Sequence, residues 1–200
     1  MNTVSVEIAA TAARLVVEEG LEFGPAKRRA LRVLGLPART PLPGNDDLER
    51  EVRDYIALFC ADSQPQELLA LRQHARVWMA RFADFRPHLG GAVWRGTATR
   101  LNDIYLQLFC DDSKSAEIAL IDQRVKYLPQ RIIGFTGDEV DALSVHSFSH
   151  ELNEEIGVHL MVYDYDALRG ALKVDAQGRA RRGDLAALER LVSAQRAVGE

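Results

Sequence analysis

Hydrophobic and polar positions change their period partway along the chain. From Val4 to Glu19, Ile8, Ala12, Leu15 and Val16 recur at helical spacing, and Gly20 is a natural stop. Pro25 opens a second helix through Leu34, with Gly35 just past its end. A turn over Pro37 to Asn45 follows. Asp46 or Asp47 can then cap a third helix to about residue 61, with Leu48, Val52, Tyr55, Ile56 and Phe59 on one face. Ser63 caps a fourth, expected from Pro65 to Phe85. Its stripe of Leu68, Leu71, Ala75, Trp78, Met79 and Phe82 reads as a core face, and Pro87 ends it.

From Leu89 the period shortens toward two. Leu89 to Phe109 reads as a strand, a glycine-rich turn and a second strand, on which Ile104, Leu106 and Leu108 alternate with Asp103, Tyr105 and Gln107. One face is then packed and the other offers polar groups. Further apolar stretches at Ala116–Ile121, Val125–Ile133, Val140–Phe148 and Val158–Tyr163 are separated by turn residues, which predicts a mixed or mostly antiparallel sheet with one covered face. Asp166–Leu172 and Asp184–Val198 read as closing helices, the second with an Asp N-cap. The expected fold is α+β: a helical N-terminal part over 1–86, packed on an α+β part over 87–200 with C-terminal helices. The 103–109 and 158–163 strands are expected as near neighbours.

The chemistry concentrates on the Asp103 strand. Its entrance and the glycines before it resemble the signature of the nucleotidyltransferase superfamily, shared by polymerase-beta-like enzymes, minimal nucleotidyltransferases and CCA-adding enzymes. There a Gly-Gly or Gly-Ser turn precedes an Asp-x-Asp or Asp-x-Glu pair, and a third carboxylate lies on a later strand. Carboxylates at i and i+2 of a strand point the same way and can hold the metals that bridge a triphosphate. Asp103 matches the first carboxylate. The turn is either Gly96-Thr97 or, counted as in CCA-adding enzymes, Gly90-Gly91 with Arg95 near that motif's arginine. The resemblance spans about residues 89 to 166, and the chain looks like small bacterial proteins of the superfamily whose acidic motif varies.

That resemblance implies a nucleotidyltransferase-like, nucleotide-binding protein. Asp103 would be its catalytic residue and metal ligand, with Mg2+ as cofactor, and Arg95, Gly96 and Thr97 would sit at the phosphates. The implied activity is transfer of a nucleoside monophosphate to a hydroxyl. Two positions depart from the pattern. Tyr105 occupies the second carboxylate position, and its phenol is neutral at pH 7; His159 occupies the third, and would be a metal-site residue beside Asp103. Mg2+ prefers oxygen ligands in octahedral geometry, so the loss at Tyr105 favours the alternative, a degenerate module with a regulatory or assembly role. A plainer reading makes Asn102-Asp103 a turn former.

Composition removes other classes. The chain has 200 residues, 47% hydrophobic and 27% charged, as in an ordinary globular domain. No run suits a bilayer span or a secretory signal, so a cytoplasmic protein without a membrane partner is expected. Cys60 and Cys110 lie in apolar segments with no Cys-x-x-Cys, and His146 and His150 lack the His-Glu-x-x-His pattern. P-loop and Gly-x-Ser-x-Gly motifs are absent. Net charge is −4, with 12 basic and 12 acidic residues through His88 and 13 against 17 after it. RNA therefore finds only weak support as a partner, in the Lys27, Arg28, Arg29 and Arg32 cluster; a nucleotide or phosphorylated small molecule is the expected ligand.

Overall fold

Helical periods near the N-terminus and strand periods further on give an α+β fold. The computed structural model describes residues 3–175 and 178–199. The chain forms two compact units, Met1–Leu68 with Thr97–Asn102, and Leu69–Gly96 with Asp103–Glu200. The division falls inside the fourth helix.

In the first unit α1 (Thr3–Glu19), α2 (Phe23–Val33) and α3 (Asn45–Phe59) bury Ile8, Ala12, Val16, Ala30, Leu48 and Val52 in one cluster. Gly20 takes φ +66°, and a Cβ there would lie 2.7 Å from the Leu101 carbonyl oxygen, so only glycine ends α1 this way. The α3 cap differs from expectation. Gly44 holds the N-cap position without a side-chain bond, and Asp46 and Asp47 stand in the first turn, where negative charge meets the positive end of the helix dipole. The basic face of α2 is partly structural. Lys27 is buried, donating to Pro43 O at 3.0 Å and Asn45 Oδ1 at 2.7 Å, and Arg29 pairs with Glu19 at 2.6 Å.

The second unit takes α4 (Gln64–Arg81) from Leu69 onward. The expected stripe is buried from Leu71 to Phe82. The α-helix stops earlier than expected, at Arg81; a 3-10 turn over Ala83–Phe85 follows, and Arg86 takes φ +48°. Pro87 accounts for the last of these, since a proline disfavours the right-handed helical region for the residue before it, here Arg86.

Five strands form one sheet in the order β1-β2-β5-β4-β3: β1 (His88–Leu89), β2 (Ile104–Cys110), β3 (Leu128–Ile133), β4 (Glu139–Ser149) and β5 (Glu154–Asp164). The pair β2 and β5 is parallel; the other pairings are antiparallel. The expected neighbours are thus adjacent. Two expected extended stretches are helices. Gly91–Arg95 forms α5 after only two strand residues. Ser115–Asp122 forms α6, where Ala116 and Leu120 are buried at a four-residue interval while Ile118 and Ile121 stay exposed. That spacing selects one helical stripe over two strand faces. The Asp166–Leu172 segment divides into a 3-10 turn and the short α7 (Leu168–Ala171). The last helix, α8 (Leu185–Gly199), is capped as expected, with Asp184 Oδ1 accepting from Ala187 N–H at 2.8 Å.

Register sorts the sheet into two faces. Leu106, Leu160 and Leu143 align across three strands, with Ile104, Val158 and Val145 beside them, and all are buried. Helix α4 meets this side: Trp78 Nε1–H donates to Ser147 Oγ at 3.0 Å, and His74 Nε2 lies 2.9 Å from the same oxygen. The opposite face is not the open polar surface that alternation suggested. Phe109, Met161, Tyr163 and Ala142 form a second buried cluster, and Gln107 is buried with them. Tyr105, His159, Ser144 and His146 lie toward the other end of that face.

Candidate functional site

Asp103 stands at the entrance of β2, just before the ladder begins. Its neighbour Asn102 takes the turn-forming role, its Oδ1 accepting from Thr99 N–H at 2.8 Å. The Asp103 carboxylate reaches across the sheet instead: Oδ1 accepts from Gly157 N–H at 3.2 Å, and Oδ2 lies 3.0 Å from His159 Nε2. Gly157 permits this approach, since a Cβ there would sit 2.5 Å from Asp103 Oδ1. Here the absence of a side chain, and not a special φ, is what the position requires.

The parallel register pairs Tyr105 with His159, and their rings stack with centroids 4.8 Å apart and planes 24° from parallel. On the other side of β5 the antiparallel register pairs His159 with Ser144, whose Oγ lies 2.8 Å from His159 Nδ1. Hydrogen-bond chemistry assigns the proton. An ionised carboxylate only accepts, so His159 Nε2 carries the hydrogen given to Asp103; in the neutral ring Nδ1 then accepts from the Ser144 hydroxyl. The hydrogen bond from His159 holds the Asp103 carboxyl below the ordinary aspartate range, more strongly than partial burial raises it, and the His159 charge and Gly157 N–H act in the same direction. A charged end thus lies open at Asp103, whose side chain is 46% exposed, while Ser144 is buried behind it.

Of the residues singled out from the sequence, Asp103 and His159 are joined directly. The glycine turn beside them is Gly90-Gly91. Gly90 N–H donates to Tyr105 O at 3.1 Å, and Gly91, at φ +68°, lies where a Cβ would meet the Tyr105 ring at 3.6 Å. Gly96 has a structural task as the left-handed C-cap of α5, φ +81°, with its N–H donated to Ala92 O at 2.9 Å. Arg95 is the last residue of that helix, and Thr97 belongs to the first unit, where it is buried. Ser144 and Gly157 were not singled out from the sequence. Their signals are slight: a serine interrupting the Val140–Phe148 apolar run, and a glycine opening the Val158–Tyr163 run.

A pair of magnesium ions needs several carboxylates. Among the described residues no group of three or more His, Cys, Asp or Glu side chains gathers to hold a metal ion. One carboxylate, a phenol and an imidazole do not fit a two-metal centre. What the arrangement offers is a fixed acceptor, a stacking surface and an imidazole held between two hydrogen-bond partners. Compared with protein-family models, with curated proteins and with solved structures, the chain gives no significant match to any. Among the described residues no helix is long and apolar enough to cross a membrane.

Proposed function

We propose that the second unit is a nucleotidyltransferase-like module that binds a nucleotide or another phosphorylated small molecule at the Asp103 end of its sheet. The observation that supports this is the juxtaposition of Asp103, Tyr105 and His159 on adjacent parallel strands, beside the Gly90-Gly91 turn. A base can stack where Tyr105 and His159 stack on each other, and the phosphates lie toward the glycine turn. Mg2+ enters the proposal only as the counter-ion of a bound triphosphate, with Asp103 as the one carboxylate it meets. Transfer of a nucleoside monophosphate would require an acid that the Tyr105 position does not supply, so binding without efficient transfer is the reading favoured.

A catalytically degenerate module with a regulatory or assembly role is the second reading. Both Asp103 oxygens are already engaged, one by Gly157 and one by His159, which favours a structural use of the carboxylate. Calorimetric titration with ATP and GTP, in Mg2+ and in chelator, separates the two readings. Binding in wild type that weakens about ten-fold or more in Asp103→Asn supports the ligand site; equal affinity, or none, removes it. Incubation with labelled nucleoside triphosphates then tests transfer to RNA, to small acceptors or to the protein itself. Weak or absent transfer is expected, with Tyr105→Asp the substitution that raises it.

A further inference from the structure

A second candidate site lies elsewhere in the same unit, where the turn after α4, α7 and the start of α8 meet. A cavity of about 340 Å³ opens there, lined by Arg86, Pro87, His88, Leu168, Asp184 and Leu185 among others. The volume is at the low end of small-molecule sites, which run from about 300 to 1,000 Å³. Its walls are mainly aliphatic and its polar groups are few and of opposite sign.

Arg86 supplies the cation. Its guanidinium carbon stands 4.2 Å from the Tyr165 ring centroid, and no carboxylate or other hydrogen-bond acceptor among the described residues takes its N–H groups. It also occupies φ +48°, a conformation that glycine or asparagine adopts at lower cost. Asp184 supplies the anion. One of its oxygens caps α8 at 2.8 Å, and among the described residues no donor takes the other. His88 is buried and points Nδ1 at Arg86 O, 2.8 Å away; a carbonyl only accepts, so the neutral ring keeps an acceptor at Nε2.

We propose that this cavity binds a small zwitterion of the free amino acid type, with its carboxylate on Arg86, its ammonium on Asp184 and its side chain against Leu168, Pro87 and Leu185. A stacked arginine favours a planar carboxylate, which it can meet with two parallel N–H bonds. An ammonium finds only acceptors at Asp184 and His88. A phosphate dianion meets repulsion from Asp184, and because this cavity shares no lining residue with the Asp103 end, its occupancy does not depend on the nucleotide reading.

The test is an amide-resolved NMR titration of the full chain with three probes sharing one side chain: L-leucine, 4-methylpentanoate without the ammonium, and isopentylamine without the carboxylate. L-leucine is expected to shift the amides of residues 83–88, 168 and 184–186, with an affinity about ten-fold or more above either fragment. Arg86→Gln should abolish the gain over isopentylamine. Asp184→Asn keeps an equally good helix cap and should abolish the gain over 4-methylpentanoate. Three results on the wild type alone overturn the proposal: no shift at these amides, a fragment binding as well as L-leucine, or inorganic phosphate shifting the same amides more strongly.

Discussion

The three N-terminal helices and the five-stranded sheet solve the burial problem in different ways. Each helix of the first unit carries its apolar stripe within one continuous segment: Ile8, Ala12, Leu15 and Val16 of α1 and Leu48, Val52 and Ile56 of α3 are buried where the helical period marks them, whereas Phe59, expected on the same face of α3, is 64% exposed. In the sheet the same aliphatic residues become a core only through register: Leu106 is covered because it faces Leu160, 54 positions away, and Leu160 because it faces Leu143. The difference teaches that local period determines a helix face, whereas the nature of a sheet face depends on which strand arrives beside it. The polar end at Asp103 exists for that reason, since a carboxylate on one strand meets an imidazole on another.

Truncating the sheet core should give the largest effect. Leu160→Ala removes a fully buried side chain that packs from the centre of the sheet, and it should cost about 2–5 kcal/mol in urea denaturation. A cost below about 1 kcal/mol would mean that the β2–β5 pairing is not where the sheet's stability resides. In the helical unit the comparable test is polar. Lys27→Ala strands the Pro43 carbonyl and the Asn45 side chain, and it should cost about 1–3 kcal/mol by the same measurement. A neutral result would return Lys27 to the solvated basic face that its sequence neighbours suggest.

A smaller effect is a slope with pH. Burial lowers the His74 imidazole below the ordinary histidine range, so the unfolded chain takes up a proton there that the folded chain refuses. Stability should therefore fall as pH drops below about 6.5, by at most about 1.4 kcal/mol per pH unit from this group, and His74→Gln should flatten that part of the profile. An unchanged slope in the variant would place the pH dependence elsewhere. The smallest effect on stability belongs to the candidate site. Asp103→Asn should cost no more than about 1 kcal/mol at pH 7, because the pair with His159 is open to solvent. Its folded pKa is depressed, so the contribution is complete above the ordinary aspartate range and disappears as pH falls through the lowered value. A loss of several kcal/mol would make Asp103 a structural residue first and argue against the ligand reading.

Much of the architecture was legible in the residue pattern. Gly20 and Gly35 mark helix ends, Asp184 is the cap it reads as, and the 158–163 strand does lie beside 103–109. The places where the pattern misled share a cause. Ala116–Ile121 is apolar enough for a strand, yet only Ala116 and Leu120 find a surface to pack on, and a helix satisfies a two-residue stripe. Gly96-Thr97 and Gly90-Gly91 look alike as turns in one dimension; only folding puts Gly90 on the Tyr105 carbonyl and gives Gly96 to the end of a helix.

Composition and spacing alone determined most of the helix faces, the stops at Gly20 and Gly35, the cap at Asp184 and the residue types at 103, 105 and 159, because each of these is decided by a residue and its neighbours within about four positions. Tertiary structure decided which groups meet. The Asp103 carboxylate lies over Gly157, His159 is held between Asp103 and Ser144, and Arg86 and Asp184 line one cavity, through contacts between residues tens of positions apart. Hydrogen bonds and ion pairs act over a few ångströms, so a one-dimensional pattern can supply their donors and acceptors but not their distances.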